Sequence, residues 1–389
     1  MKTQPTITTL ISSLCPNGVK FSELGEVAQI KRGQRVTKSQ LKAESKFPVY
    51  SGGVTPMGYF EETNQPANTV TVVKYGTAGF VNFIKEDFWA NDVCYCIKPK
   101  KDLNNKYLFY YLKCKQEYIK SQATNAIPAH LPTEVIANLK IPIPPLEVQQ
   151  EIVKILDSFT ELEAELEAEL EVRRKQYEHY RSKLLITDED VEILSIEKIF
   201  NFKNGYTPSK AKYEYWKNGD VPWFRMEDIR ENGNILNKSI QLVNKIGVKG
   251  KGVFPENSII VATSATIGEH ALITIPHLTN QRFVSLSIKD ELKQKINIKF
   301  LFYYFYLVDE WCLKNTTKSS FSSVDMVGFR KFQIPLPPLS EQERIVAILD
   351  KFDMLVNDIS VGLPAELKAR RQQYEHYRAK LLSFKEVVQ

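Results

Sequence analysis

The sequence predicts an α+β protein in which two globular halves are separated by two long helices, and two kinds of observation support this fold class. Two blocks recur: IPIPPLEVQQEIVKILDSF at Ile141 returns as IPLPPLSEQERIVAILDKF at Ile334, and RRKQYEHYRSKLL at Arg173 returns as RRQQYEHYRAKLL at Arg370. Each pair of blocks follows a stretch that alternates β-rich runs with Gly-rich turns. We expect the two helices to pack on each other as an antiparallel coiled coil with internal pseudo-symmetry.

Local patterns within the halves support both kinds of secondary structure. Residues 69–74 (TVTVVK) and 258–262 (SIIVA) are short, β-branched runs that predict strands. Aromatic stretches at residues 106–114 and 298–308 predict one helix in each half.

The repeats divide the chain into segments. In chain order they are a first globular domain at residues 1–145, a first long helix at 146–185, a second globular domain at 186–338 and a second helical region at 339–389. A Pro-Pro pair stands directly before each helical segment, and proline cannot continue a preceding strand or helix. At the second start, Ser340 and Glu343 have the spacing of a capping box.

An apolar seam runs along each predicted helix at steps of three and four residues, the spacing of a coiled coil. Its members are Phe159, Leu162, Leu166, Leu170, Tyr177 and Tyr180 in the first helix, and Phe352, Leu355, Ile359, Leu367, Tyr374 and Tyr377 in the second. Gly362 and Pro364 interrupt the second seam, and an interior proline costs about 3 kcal/mol or forces a kink. We expect this helix to kink or break there. The alternative for both helices is packing only against their own globular halves.

Length and composition exclude several protein classes. The chain has 389 residues, 43% of them hydrophobic and 25% charged, which is typical of a globular protein with more than one domain. The longest strongly apolar run, residues 300–308, is shorter than the roughly 20 residues of a membrane span, so we expect a cytoplasmic protein. Five cysteines without a CxxC pair indicate reduced, structural thiols.

Positive charge is concentrated in the globular halves. Residues 1–146 carry 18 basic and 11 acidic side chains, and residues 186–339 carry 20 and 17, whereas the first helix carries 6 and 10. Basic charge on the segments that differ between the copies is expected when these segments face a polyanion such as DNA. The alternative is an ordinary solvated surface.

Polar and basic loops in both halves are the candidate DNA contacts. They combine cationic side chains suited to phosphate with amides and hydroxyls able to contact bases or backbone. Arg225 could read guanine or pair with Glu227 or Asp228. For the other loops the alternative is a structural turn. The full set is Lys31, Arg32, Gln34, Arg35, Lys38, Lys74, Tyr75, Thr77, Asn125, His130, Lys203, Asn204, Tyr206, Ser209, Lys210, Arg225, Thr263, Ser264, Thr266, Lys318 and Ser320.

Catalytic motifs are missing from the sequence. A DNA-amine methyltransferase would need a polar-Pro-Pro-aromatic loop, but both Pro-Pro pairs lie in apolar sequence. There is no G-x-x-x-x-G-K-[ST] loop for ATP. Glu-x-Lys triplets at Glu291 and Glu366 lack a partner acid for metal-dependent cleavage. We expect neither catalytic residues nor a metal site.

The repeated blocks resemble those of the DNA sequence-specificity subunits of type I restriction-modification enzymes. The resemblance covers essentially the whole chain and includes LGEV at Leu24 and DVPW at Asp220. It implies a non-catalytic subunit in which each half reads one part of a bipartite site in double-stranded DNA and the helices set the spacing. It also implies two methylation subunits that bind S-adenosylmethionine, and restriction subunits that use ATP and Mg, with no cofactor in this chain.

Two other functions stay open from the sequence. One is a structural coiled-coil adaptor that binds protein, which salt-insensitive indifference to duplex DNA would favour. The other is a self-contained DNA-modifying enzyme, which cleavage or methylation by the purified chain alone would favour.

Overall fold

The chain divides into two compact units. Unit 1 comprises Met1–Glu165 and Lys368–Gln389, and unit 2 comprises Leu166–Leu367. The computed structural model describes residues 6–124, 127, 129–186, 191–250, 252–317, 322–358 and 361–387. None of the helices in these ranges combines the length and the apolar character that a membrane span requires. Sheets and helices occur together in both units, which confirms the α+β class.

Unit 1 is built on small sheets of mostly antiparallel strands, flanked by helices. Its strands are β1 (Lys20–Glu23), β2 (Ala28–Arg32), β3 (Phe47–Tyr50), β4 (Tyr59–Phe60), β5 (Thr69–Val73), β6 (Val81–Ile84), β7 (Trp89–Ala90), β8 (Cys94–Pro99) and β9 (Lys140–Ile143). Its helices are α1 (Ile7–Leu14), α2 (Leu24–Val27), α3 (Asn105–Cys114), α4 (Gln116–Ser121), α5 (Thr133–Ala137) and the first part of α6 (Leu146–Leu185). The strand orders are β2-β8-β5-β6, β4-β3-β7 and β1-β9.

Unit 2 begins within α6. Its strands are β10 (Glu192–Ser195), β11 (Phe200–Asn204), β12 (Val221–Phe224), β13 (Ile235–Leu236), β14 (Gln241–Val243), β15 (Ser258–Ala262), β16 (His270–Ile273), β17 (Leu278–Thr279), β18 (Phe283–Ile288), β19 (Thr316–Thr317), β20 (Ser323–Val324) and β21 (Gln333–Leu336). Its helices are α7 (Ile196–Ile199), α8 (Met226–Asn232), α9 (Ile298–Lys314), α10 (Met326–Lys331), α11 (Leu339–Val356) and the start of α12 (Leu363–Leu381).

The two units repeat one topology. The order β11-β18-β15-β16 matches β2-β8-β5-β6, with β13 added at one edge, and β14-β12-β17 matches β4-β3-β7. The pair β10-β21 matches β1-β9 with the same antiparallel pairing. The predicted strands β5 and β15 are buried along their whole length. The internal pseudo-symmetry is therefore confirmed in the strand order.

A buried glutamine fixes the start of α6 to unit 1. Gln149 is fully buried, and its amide donates to the carbonyls of Pro144 (2.7 Å) and Asp102 (2.9 Å). Its Oε1 accepts from the backbone N–H of Asn104 (2.7 Å), the N-cap residue of α3. One side chain thus satisfies three backbone groups and joins α6 to the aromatic helix α3.

Unit 2 repeats this anchor at the matching position. Gln342 is also buried, and its amide donates to the carbonyls of Pro337 (2.8 Å) and Lys295 (3.1 Å). Its Oε1 accepts from the N–H of Asn297 (2.9 Å), the N-cap residue of α9.

A second matched contact binds each long helix to its aromatic helix. Asp157 accepts from Lys106 (2.6 Å) and from the hydroxyl of Tyr110 (2.6 Å). In unit 2, Asp350 accepts from Lys299 (2.7 Å) and from the hydroxyl of Tyr303 (2.6 Å) in the same way. Desolvation, followed by the neighbouring carboxylate, raises the pKa of both tyrosines.

Both long helices start directly after the proline pairs, as predicted, but the predicted capping box is wrong. The N-cap of α11 is Pro338, and no side chain caps it. Ser340 lies inside the first turn, because the carbonyl of Pro338 already accepts from the N–H groups of Glu341 (2.9 Å) and Gln342 (3.0 Å).

The predicted break in the second helix is confirmed. Helix α11 ends at Val356 and α12 begins at Leu363, so the interruption lies upstream of Pro364. As the second residue of α12, Pro364 removes an N–H that would have no partner within the helix. A Cβ atom on the buried Gly362 would overlap the backbone oxygen of Met354, which explains glycine at this bend. The predicted seam residue Ile359 lies outside the described residues.

Within unit 1, α6 packs on α12. Phe159 stacks on Tyr377 with ring centroids 5.6 Å apart and contacts Tyr374 at 6.4 Å. Glu163 pairs with Arg371 at 2.6 Å. Because a later residue of α6 meets an earlier residue of α12, the two segments run in opposite directions.

Within unit 2, the second part of α6 packs on α11. The rings of Tyr177 and Tyr180 lie 6.3 Å and 5.6 Å from that of Phe352. Leu170 and Leu367 are buried, Leu162 and Leu166 are half-buried, and Leu355 is exposed. The alternative that each helix packs only on its globular half is therefore wrong, while supercoiling itself stays a prediction.

We predict that Gln149→Ala lowers the free energy of unfolding by about 1–3 kcal/mol, because it leaves a buried N–H and two carbonyls without their partner. The midpoint of urea unfolding of the full chain, followed by circular dichroism, measures the effect. The matched control is Gln150→Ala, which removes an exposed amide from the next residue of the same helix. Equal losses in both variants would contradict the anchoring role of Gln149.

Candidate nucleic-acid interface

In unit 1, the ends of three strands meet at a turn formed by residues 90–94. Backbone hydrogen bonds fix the ends of β2, β3 and β5 to this turn, and we call the arrangement the loop frame. With the donor first, the bonds are Gly33 N to Cys94 O (3.1 Å), Gln34 N to Ala90 O (2.9 Å), Lys74 N to Val93 O (2.7 Å) and Asn91 N to Tyr50 O (2.9 Å).

Unit 2 contains the same loop frame around a turn at residues 279–283. It fixes the ends of β11, β12 and β15. The bonds are Gly205 N to Phe283 O (2.9 Å), Tyr206 N to Thr279 O (2.8 Å), Thr263 N to Arg282 O (2.9 Å) and Asn280 N to Phe224 O (3.1 Å). The loops that leave the frame therefore start from equivalent places in both units.

A glycine stands at the tightest point of each frame. A Cβ atom on Gly33 would overlap the carbonyl oxygen of Ala90, and one on Gly205 would overlap that of Asn280. The close approach of the two backbones therefore requires glycine at both positions.

The predicted cluster at the end of β2 and in the loop that follows lies beside the loop frame of unit 1. The side chains of Lys31, Arg32, Gln34, Arg35 and Lys38 are exposed. The Arg32 guanidinium donates to the carbonyl of Asp92 (3.2 Å), which holds it beside the turn. The carbonyl of Gln34 accepts from the indole of Trp89 (2.8 Å), so the backbone is fixed while the amide side chain faces solvent.

A second group of predicted residues in unit 1 comes together after β5. The ring of Tyr75 stacks on His130 with centroids 5.6 Å apart, and the Lys74 ammonium lies 5.3 Å from the Tyr75 ring. His130 shares a hydrogen bond with the hydroxyl of Thr124 (2.8 Å). The hydroxyl of Thr77 donates to the carbonyl of Gly52 (3.0 Å), so its role in phosphate binding stays a prediction.

In unit 2, Tyr206 joins several loops. Its hydroxyl accepts from the N–H of Lys249 (2.8 Å), and its carbonyl accepts from the indole of Trp223 (3.0 Å). The Lys203 ammonium lies 5.6 Å from the ring of Phe254. Asn204, Ser209 and Lys210, which follow Lys203 in the sequence, are exposed.

The turn after β15 is held by backbone contacts. The hydroxyl of Thr263 donates to the carbonyl of Arg282 (3.2 Å), and Ser264 forms a β-bridge with Ser323. Thr266 donates its N–H to the carbonyl of Ser264 (2.9 Å). Of the predicted contacts, Asn125, Lys318 and Ser320 lie outside the described residues.

Arg225 follows β12 at the edge of the unit 2 frame. Its Nε lies 3.9 Å from a carboxylate oxygen of Glu227, whose side chain is mostly exposed, so this ion pair is weak. The predicted alternative of a side-chain pair with Asp228 is wrong, because that carboxylate accepts from the backbone N–H of Arg225 instead (2.7 Å).

Sequence reasoning missed Arg282, an exposed residue on the turn of unit 2. Arg282 donates its N–H to the side chain of Asn280 (3.0 Å), and in unit 1 the side chain of Asn91 accepts from the N–H of the next residue, Asp92 (2.8 Å). The recurrence of asparagine after 189 residues was the signal that pointed to this turn.

Burial determines the charge of several groups near the frames. His277 is fully buried, and desolvation lowers its pKa to about 4, so it is neutral at pH 7. Burial also raises the pKa of the Cys94 and Cys96 thiols to about 12. Within the described ranges, no group of three His, Cys, Asp or Glu side chains could hold a metal ion. His277 therefore contributes no positive charge at pH 7.

Comparisons with known proteins identify the family. Residues 16–172 and 188–369 match the family model described as type I restriction modification DNA specificity domain. The chain is 32% identical to the EcoR124I/EcoR124II specificity subunit of Escherichia coli over 94% of both chains. It is 56% identical to the EcoprrI specificity subunit of Escherichia coli, over a region that spans about half the length (52%) of each chain.

Solved structures show the same fold. The type I S subunit from M. genitalium has a TM-score of 0.58 and 20% identity, with 94% of this chain and 96% of that chain covered. A chain from a study of type I R-M complex assembly has a TM-score of 0.62 and 16% identity, with 94% and 98% covered. The sequence matches and the repeated topology agree, and this chain belongs to the family of type I restriction-modification DNA specificity domains.

Proposed function

We propose that this chain is the non-catalytic subunit that gives a type I restriction-modification complex its DNA sequence specificity. Each unit reads one half of a bipartite site in double-stranded DNA. The observation that carries this proposal is the loop frame, which occurs in both units and presents exposed basic and polar side chains from several loops at one end of each sheet. The assignment of residues 1–145 and 186–338 as recognition domains is part of the proposal.

The composition of the loops suits both parts of DNA recognition. Lysine and arginine contacts to phosphate provide affinity that depends on salt, and contacts to base edges provide specificity. Lys31, Arg32 and Arg35 serve the first purpose in unit 1, while Gln34 presents an amide that can pair with adenine.

The repeats support the partners that we propose. Matched residues are exposed to nearly the same degree in the two units: Tyr180 40% and Tyr377 41%, Leu146 39% and Leu339 38%. Two equivalent surfaces suit two copies of one partner, which we propose to be the methylation subunit. Restriction subunits complete the complex, in the cytoplasm where its DNA lies. S-adenosylmethionine, ATP and Mg belong to these partners in this proposal.

The adaptor and the self-contained enzyme are the competing outcomes. Binding of DNA by the complex with a steep salt dependence supports the proposal over the adaptor. Methylation that requires the partner subunit supports it over the enzyme.

We predict that the triple variant Lys31→Gln, Arg32→Gln and Arg35→Gln binds DNA more weakly and with a flatter salt dependence. The slope of log affinity against log salt should decrease by about 0.9 for each phosphate that the variant no longer neutralises. Fluorescence anisotropy of the assembled methylation complex on a duplex, between about 50 and 200 mM salt, measures the slope.

The matched control neutralises Lys98, Lys100 and Lys101, three exposed lysines near the other end of the same sheet. In the register of β2 and β8, Ala28 pairs with Pro99 whereas Arg32 pairs with Tyr95. An unchanged slope in the triple variant, or an equal change in the control, would show that the frame end of the sheet does not face DNA.

We predict that the halves can be exchanged independently. Replacing residues 1–140 with the corresponding segment of a relative should change one half of the methylated site and leave the other half unchanged, because each frame lies within its own unit. Sequencing of methylated adenines gives the result. A change in both halves would contradict modular recognition.

We also propose that α6 sets the spacing between the half-sites, because this single helix of 40 residues contributes to both units. Residues 161–168 repeat ELEA twice, so deletion of 161–164 keeps the apolar spacing while it shortens the helix by about 6 Å. The spacer should contract by up to two base pairs at about 3.4 Å each. Methylation mapping that shows both half-sites intact but the spacer unchanged would exclude this role for α6.

A further inference from the structure

Arg225 has a backbone position that is fixed on both sides. The residue before it, Phe224, accepts the frame bond from Asn280 (3.1 Å), and Arg225 itself is the extended N-cap residue of α8. Its N–H donates to the Asp228 carboxylate (2.7 Å). The base of this side chain is therefore held where β12 ends on the frame.

Asp228 provides this restraint without neutralising the guanidinium. It is fully buried, and its second oxygen accepts from the N–H of Ile240 (2.6 Å) in the loop before β14. Both oxygens thus bind backbone amides. The carboxylate therefore ties the backbone of Arg225 to that loop, while the guanidinium makes only the weak pair with the exposed Glu227 at 3.9 Å.

The guanidinium lies beside a rigid aromatic surface. Its central carbon is 5.4 Å from the ring centroid of Trp223, and Trp223 is held by its bond to Tyr206 and by edge contact with Trp216 at 5.1 Å. The Arg225 side chain is 28% exposed. Across the residues that the structure describes, its Nε is buried without a hydrogen-bond partner.

A guanidinium that is restrained in this way and only weakly paired with Glu227 suits one base edge. In the major groove, guanine presents two acceptors, N7 and O6, which a planar guanidinium can bind together. Adenine presents an acceptor and a donor there, so the second contact would place two donors against each other. Lysine has a point charge without this fork geometry.

Unit 1 lacks the corresponding group. The frame bond to Phe224 corresponds to the bond from Asn91 to Tyr50, and the residue after Tyr50 is Ser51. A contact through Arg225 would therefore affect only the half-site bound by unit 2.

On the basis of the proposed function, we propose that Arg225 reads a guanine in the half-site bound by unit 2, with Asp228 as its positioning residue. Arg225 supplies the specific contact, the Trp223 ring supports the guanidinium, and Asp228 fixes the backbone from which the side chain extends. Neither residue takes part in methyl transfer.

The test maps methylated adenines with the assembled methylation complex and measures affinity for matched duplexes. Arg225→Ala should make one guanine position of the unit 2 half-site degenerate and reduce discrimination at that position by about 10- to 100-fold. Asp228→Asn should reduce discrimination at the same position, because the amide replaces one of two acceptors, while the unit 1 half-site stays unchanged. The matched control is Arg230→Ala, which removes an exposed arginine from the adjoining helix α8 and should leave every position of the site intact.

If Arg225→Ala fails to fold, Arg225→Lys tests the proposal instead, because it keeps the positive charge but removes the planar guanidinium. Reduced discrimination at one guanine in the lysine variant supports the proposal, whereas full discrimination, or a unit 2 half-site without guanine, overturns it. Failure of the unaltered complex to select any site would instead overturn the proposed function. Unchanged specificity in Arg225→Ala, with selective methylation intact, would refute only the role of Arg225.

Discussion

The close approach of two backbones at Gly33 and at Gly205 determines where the candidate DNA contacts lie. Each glycine allows a strand end to bond with the turn that also receives two other strand ends. Because these bonds join backbone N–H and carbonyl groups, they do not depend on the identity of the neighbouring side chains. Gln34 in unit 1 and Tyr206 in unit 2 therefore occupy equivalent places with very different chemistry. This is the property that a scaffold for many DNA sequences requires.

The long helices differ from the loop frames, because they contact the globular parts through side chains rather than through backbone groups. Gln149 and Gln342 bind equivalent backbone groups, and Asp157 and Asp350 bind equivalent Lys and Tyr partners. A change of residue type there would leave buried polar groups without partners. The two copies of the block that contains these residues are accordingly identical at 12 of 19 positions, whereas the frame loops differ. The two copies are thus more similar in sequence where side chains make the contacts, and less similar where backbone groups make them.

This difference explains how much could be predicted from the sequence. The repeated blocks located both helix starts, and Gly362 with Pro364 indicated the break, because those features depend on residue identity. The capping box failed, since Ser340 matched a motif at a position where the carbonyl of Pro338 already organised the first turn. The frame bonds are backbone contacts and leave little trace beyond a glycine and an asparagine. Consequently the basic loops were found one by one, while Arg282 and the frame that joins them were not.

Within the proposed function, the loop frames of the two units contact DNA in different ways. The first globular half has the larger excess of basic residues, and its exposed cations Lys31, Arg32 and Arg35 lie at or just after the end of β2. In unit 2 the cation at the frame edge, Arg225, is supported by Trp223 and restrained by Asp228. Solvated cations suit phosphate, whose charge is the same at every base pair, whereas a restrained guanidinium can distinguish one base edge from another. Under the proposed function, we therefore expect DNA binding by unit 1 to depend more on salt, and binding by unit 2 to depend more on a direct base contact.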